Sequence, residues 1–229
     1  MLMDISKIKI CIFDVNGVLI ESNLANAQAM GEAFTDDPAL RDQIVEQYLK
    51  LTGIDRGSKI RIIQEQVMKR PFKEKEFEQR WERVKELVHV SMSKAPLIKG
   101  CKEVLTQLGK RKITRVALSN TPRAELEKIL SAQGLESYLD FIRGGGDWPK
   151  TESLGRLLRE FQFEPNKCLF MGDGKGDLAA ARSAGVAFVG IDPGTGEFDD
   201  EEGFEGPYKN LSEWGRQVLG MRSGGKRGG

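Results

Sequence analysis

Three short apolar runs in this chain stop abruptly at polar, ligand-capable residues. Ile10-Cys11-Ile12-Phe13 meets Asp14, Arg115-Val116-Ala117-Leu118 meets Ser119-Asn120, and Lys167-Cys168-Leu169-Phe170-Met171 meets Gly172-Asp173, with Asp177 four residues further on. A buried strand ending at a carboxylate must solvate or pair that charge. In open parallel sheets, ligands bind beyond the carboxyl ends of the strands, which is where these groups fall. A carboxylate at Asp14 has two available chemistries, coordinating Mg²⁺ and attacking phosphorus. Gly17, three residues on, lets the backbone turn tightly beside a ligand. A turn-forming aspartate at a strand end is the plain alternative.

The spacing of Asp173 and Asp177 allows both carboxylates to face one ion as the loop winds into the following helix. Hard oxygen donors suit Mg²⁺, which keeps several waters and needs few protein carboxylates. An aspartate capping the helix accounts for one of the pair but not both. The Ser119 hydroxyl and the Asn120 backbone, near the start of a helix at Pro122, suit a phosphate oxygen, though Ser-Asn-Thr-Pro is also ordinary helix-start chemistry. Lys150 lies in a loop ahead of a helix, where a cation has the charge to neutralise both an attacking carboxylate and a transferring phosphoryl group. Most loop lysines are merely solvated. His89, the only histidine, sits at helical spacing on an apolar face and carries no expected chemistry.

The elements that position these groups alternate. Residues 7–13 read as a strand, 102–110 as a helix, 115–118 as a strand and 122–133 as a helix. Short strands at 141–143, 167–171 and 187–191 are separated by helices at 152–161 and 178–184. This repetition predicts a Rossmann-like α/β fold, a parallel sheet with helices on both faces. Residues 23–94 read instead as three or four amphipathic helices with no strand, broken near Pro38, Gly53, Gly57 and Pro71. The predicted organisation is a core of residues 1–20 and 95–221, an all-helical cap of residues 21–94, and a disordered tail of residues 222–229. The acidic stretch 197–205 reads as a solvated loop, and 211–219 as a last helix packing Leu211, Trp214 and Val218.

The 229 residues suffice for one core and a small accessory domain. Lys+Arg 35 against Asp+Glu 34 provides no basic field for nucleic acid. No run approaches a bilayer span and no signal-peptide pattern opens the chain, so no membrane partner is expected. Three cysteines without CxxC spacing read as buried reduced thiols, consistent with a cytoplasmic location. Oligomeric state is not readable from these features.

Together the motifs resemble the haloacid dehalogenase-like superfamily, whose four motifs occur in order between about Lys7 and Ile191. Phe13-Asp14-Val15-Asn16-Gly17-Val18-Leu19, Leu118-Ser119-Asn120, Lys150 and Gly172-Asp173-Gly174-Lys175-Gly176-Asp177 carry the resemblance. It is closest to the branch of phosphoglycolate phosphatase and β-phosphoglucomutase, with the helical stretch where a cap is inserted. The resemblance implies a phosphatase of small phosphorylated metabolites. Asp14 forms an aspartyl phosphate, Ser119 binds phosphate and Lys150 steadies the charges. Asp14, the backbone carbonyl of Asn16 and Asp173 surround Mg²⁺, with Asp177 in support. Cap residues such as Gly53, Arg56 and Lys59 set specificity.

One position departs. Phosphatases of this superfamily carry a second Asp two residues after the nucleophile, as general acid and base; here it is Asn16. An amide cannot exchange a proton in the useful range, and losing that function costs ~10²–10⁴-fold, or roughly 3–5 kcal/mol of barrier. Three readings follow: a substituted residue that traps substrate, a slow phosphatase or one whose leaving group needs no proton, and a binding or regulatory protein without chemistry. A phosphomutase is a further alternative. Carbon–phosphorus cleavage would need a cap lysine, for which only Lys59 is a candidate and its sequence surroundings do not match.

Overall fold

A computed structural model describes residues 4–51, 54–145 and 150–222. Gly53 and the tail beyond residue 222, both addressed by the sequence reading, lie outside the described residues. The chain opens with β1 (Ile10–Phe13) and then leaves the sheet for four helices, α1 (Asn23–Phe34), α2 (Pro38–Lys50), α3 (Arg56–Ile62) and α4 (Glu74–Lys94), with a π-helical turn at Ile63–Val67. It returns through α5 (Cys101–Lys110), β2 (Thr114–Pro122), α6 (Arg123–Ala132), β3 (Phe141–Gly145) and α7 (Lys150–Glu160). Then come β4 (Cys168–Gly172), α8 (Lys175–Ala184), β5 (Ala187–Ile191), β6 (Glu205–Tyr208) and α9 (Leu211–Val218).

The six strands form one parallel sheet in the order β3-β2-β1-β4-β5-β6. Parallel strands are buried on both faces, which is why β1 and β4 are continuously apolar and wholly buried. Alternate side chains point to opposite layers. Cys11, Phe13, Leu169 and Met171 pack towards α5, α6 and α9, with Trp214 fully buried there. Ile10, Ile12, Cys168 and Phe170 pack towards α7 and α8. The strand order reverses at β1, because β2 lies on one side of it and β4 on the other. That reversal opens the crevice where ligands bind in such sheets.

The helical excursion leaves and re-enters the core through two adjacent strands of backbone. Ile20 bridges Leu97 antiparallel, with Glu21 N donating to Pro96 O (2.9 Å) and Ile98 N to Leu19 O (3.0 Å). Ile44, Ile60, Ile63, Val84 and Val88 bury their side chains continuously with the sheet's core. Pro38 occupies the first turn of α2 beneath an Asp37 cap, as its missing N–H allows.

Several sequence expectations need correction. Gly57 lies inside the first turn of α3, not at a break. The helix expected from residue 178 begins at Lys175, so Asp177 sits within it. The stretch 197–205, read as a solvated loop, ends in the first residue of β6, and Pro207 is tolerated because β6 is an edge strand. Among the described residues no helix is long and apolar enough to cross a membrane.

Candidate active site

The end of β1 sets the first acidic group. Asp14 N donates to Met171 O of β4 (2.9 Å), and the Asp14 side chain is buried at the crevice floor. The chain then folds back on itself. Leu19 N and Ile20 N both reach Val15 O (3.0 and 2.9 Å), and Gly17 N reaches Ile20 O (2.8 Å). Gly17 adopts φ +77°, and a Cβ there would stand 1.9 Å from Asp173 Oδ2 and 2.7 Å from Asn23 Nδ2. The glycine is needed because the Asp173 carboxylate occupies its side-chain space.

The second and third groups come from the β4–α8 junction. Asp173 N donates to Asp177 Oδ2 (3.2 Å), tucking the first turn of α8 against the strand end. Gly172 permits this, since a Cβ there would lie 2.3 Å from Asp177 Cβ. Neither aspartate caps α8, whose N-cap is Gly174. Asp14, Asp173 and Asp177 each place a carboxylate oxygen within 4.8 Å of the other two, with Asp14 and Asp177 buried and Asp173 half-buried.

Lys150, the first residue of α7, is itself buried. Its Nζ lies 2.8 Å from Asp14 Oδ1 and 2.5 Å from Asp177 Oδ1, above the Phe170 ring. It is a fixed site cation rather than the exposed loop residue its context suggests. Three carboxylates share the floor with this ammonium, and their crowding shows in the electrostatics. Burial pushes the Asp14 carboxyl up to about 6; Lys150 opposes the shift and Asp177 adds to it. Burial, followed by repulsion from Asp14 and Asp177, drives Asp173 well above the carboxylate range. Burial opposes the charge on Lys150, but Asp14 and Asp177 together hold it above the ordinary lysine range.

The floor opens into a cavity of about 130 Å³ roofed by the helical excursion. Asp14, Asn16, Asn120, Lys150, Asp173 and Asp177 line it from the sheet edge, and Arg56 and Lys59 from α3. Ser119 and Gly17 are not among its lining residues. Ser119 is buried with its Oγ accepting from Thr121 N (3.1 Å), so it shapes the turn that brings Asn120 and Thr121 to the cavity.

Arg56 and Lys59, one turn apart on α3, have different fates. The Arg56 guanidinium is held at both ends by Glu125 of α6, Nη1 to Oε2 at 2.9 Å and Nη2 to Oε1 at 2.8 Å. Both side chains are largely buried (12% and 7% exposed), so this pair ties the helical excursion to the core. Lys59 stands 3.9 Å above the Tyr48 ring, and burial pulls its amine down to about 8 against the attraction of Asp173 and Asp14. Tyr48, Asn23 and Asn26 of the cavity wall, and Glu125 behind Arg56, are residues that the sequence reading missed. No strand end announces them, and a glutamate on a helix normally reads as surface.

The Haloacid dehalogenase-like hydrolase family matches residues 11–191. A phosphoglycolate phosphatase of Haemophilus influenzae (strain 86-028NP) is 33% identical over 94 residues, 39% of this chain and 42% of that protein. The match thus spans about two fifths of that relative's length. A phosphoglycolate phosphatase of Synechococcus elongatus is 26% identical over 202 residues, 83% of this chain and 85% of the relative. Among solved structures, CbbY from Rhodobacter sphaeroides in complex with phosphate has a TM-score of 0.73 at 20% identity, covering 93% of this chain and 100% of that one. A predicted phosphoglycolate phosphatase from Haemophilus somnus 129pt has a TM-score of 0.74 at 19% identity, covering 94% and 99%. These structural likenesses establish the fold.

Proposed function

The chain belongs to the haloacid dehalogenase-like hydrolase family, and on that premise we propose that it is a Mg²⁺-dependent phosphatase of a small phosphorylated metabolite. The observation that carries the reading is the convergence of the carboxylates of Asp14, Asp173 and Asp177, three residues from two strand ends, around one point. An all-oxygen donor set of crowded carboxylates fits a hard divalent cation. Asp14, Asp173 and the backbone carbonyl of Asn16 would hold Mg²⁺, with Asp177 behind them. The bound ion supplies charge neutralisation for the phosphate oxygens.

In this reading Asp14 is the nucleophile. Its carboxylate attacks phosphorus and carries the phosphoryl group as an aspartyl phosphate until water releases it. Lys150 holds the attacking carboxylate in place through its contact with Asp14 and balances charge while the phosphoryl group transfers. Asn120, Thr121 and the turn built on Ser119 bind the phosphate oxygens. Residues 21–94 act as a cap that closes over the substrate and excludes water, latched by Arg56 and Glu125. Lys59 supplies the remaining cation of the cavity wall. The three buried thiols fit a reducing compartment, and we place the protein in the cytoplasm.

A second reading, a phosphate-ligand binding protein that lost its chemistry, draws on Asn16. Turnover of a phosphomonoester panel with Mg²⁺, phosphoglycolate included, separates the two. The phosphatase reading expects phosphate release by this chain or by Asn16→Asp. Tight ligand binding with no release by either folded protein would establish the binder instead. Isomerisation of a sugar phosphate without release would identify a mutase.

A further inference from the structure

The loop after β1 grips Asn16 by one end of its amide. Ser22 Oγ donates to Asn16 Oδ1 at 2.8 Å, and Asn26 Nδ2 donates to the same oxygen at 3.3 Å. The Asn26 amide is set in turn from α4, where Ser91 Oγ donates to Asn26 Oδ1 at 3.0 Å. The same hydroxyl also lies 3.0 Å from Val88 O, so it joins Asn26 to the backbone of α4. Ser22 and Asn26 are buried, whereas Asn16 and Asn26 both reach the cavity wall. With its oxygen engaged twice, the Asn16 amide turns its Nδ2–H₂ the other way. Among the described residues no group accepts from it.

An amide N–H donates a hydrogen bond without giving up its proton. A leaving oxygen beside Nδ2 is therefore stabilised but not protonated, and it must carry the electron pair of the broken P–O bond itself. We infer that this chain acts on phosphoryl groups attached to an oxygen that is stable as an anion, as in acyl, enol or aryl phosphates, with Asn16 the donor to that oxygen and Ser22 and Asn26 its positioning residues. The inference rests on the phosphatase reading. Each step balances without an acid. The Asp14 carboxylate forms a bond to phosphorus while the P–O bond to the leaving group breaks, releasing that group as an anion. Water then attacks the phosphorus of the aspartyl phosphate, the Asp14 carboxylate departs with its electron pair, and both water protons leave on dihydrogen phosphate.

The test uses phenyl phosphates whose parent phenols are graded in acidity, from nitrophenols up to phenol itself at about 10. For the unaltered chain, kcat/KM falls steeply as the phenol becomes less acidic. Asn16→Asp restores a proton donor, so it gains most for the poorest leaving group, by ~10²–10⁴-fold, and its dependence is shallower. Asn16→Ala loses roughly 10²-fold, most at the poor-leaving-group end. Ser22→Ala moves the slope towards that of Asn16→Ala; a purely structural effect would scale every ester by one factor. A shallow dependence in the unaltered chain would mean that another group, such as Lys59 of the cavity wall, delivers a proton, and would overturn the inference while leaving the phosphatase reading intact. No turnover of any phenyl ester by any variant would also overturn the inference, whereas the phosphatase reading falls only if the phosphomonoester panel, phosphoglycolate included, is not turned over either.

Discussion

Replacing Gly17 with alanine should weaken metal binding while leaving the protein folded. The residue sits at φ +77°, where a side chain costs roughly 1–2 kcal/mol. The added Cβ would also stand 1.9 Å from Asp173 Oδ2 and 2.6 Å from Asp173 Cγ. No carbon tolerates that approach, so Asp173 has to swing away from Asp14 and Asp177. Disturbing the support of a metal ligand typically costs ~10–100-fold in affinity, or about 1.4–2.7 kcal/mol. Thermal melts across a Mg²⁺ titration read both effects, because a ligand of the native state raises Tm as its concentration passes Kd. Gly17→Ala should melt lower without Mg²⁺ and need ~10–100-fold more Mg²⁺ for the same rise. A folded Gly17→Ala protein with an unchanged Mg²⁺ response would refute the placement of Asp173 in the metal set.

Other outcomes follow from the same geometry. Glu125→Ala strands the buried Arg56 guanidinium, a loss of about 3–5 kcal/mol in unfolding free energy; the double change with Arg56→Ala should cost less than the two single changes summed, with KM raised in all three. Lys59 titrates near 8 when folded against an ordinary 10.5, so its burial cost is fully present below pH 8 and is relieved as pH rises from 8 towards 10.5. Lys59→Met should therefore raise Tm at pH 7, lose that gain by pH 10, and weaken inorganic phosphate binding. The Asp14 carboxyl is raised from 3.8 to about 6, so in the metal-free protein stability from this group falls as pH rises through that window. Because protons and metal compete for Asp14, activity at limiting Mg²⁺ should show an acid limb near pH 6 that moves to lower pH as Mg²⁺ is raised.

The parts of the site visible in the sequence are those written as a sharp change along the chain. Asp14 and Asp173 interrupt apolar runs, and a buried strand has no packing reason to end at a carboxylate. The same logic located the parallel sheet, since β1 and β4 are apolar at every position and their connections are helical. What stayed hidden depends on contacts between distant segments. Nothing near Glu125 indicates that Arg56, 69 residues earlier, will meet it, and nothing near Ser91 points to Asn26. Lys150 taken alone reads as a solvated loop lysine, and only the motif resemblance marked it, because its burial beside Asp14 and Asp177 depends on residues from other elements. β6 was obscured by its Gly206-Pro207 pair, which an edge strand accepts and an interior strand does not. The early start of α8 was missed because Lys175-Gly176-Asp177 looks like loop chemistry, although the turn closes through the Asp173 N–H to Asp177 contact.

Crystals grown with Mn²⁺ in place of Mg²⁺ would report directly on where the cation sits, through its anomalous scattering. The account predicts one dominant peak at about 2.0–2.3 Å from oxygens of both Asp14 and Asp173, with Asp177 alongside. A metal-loaded crystal whose peak lies away from these carboxylates, or a chain that binds no Mn²⁺ at millimolar concentration while folded, would contradict it.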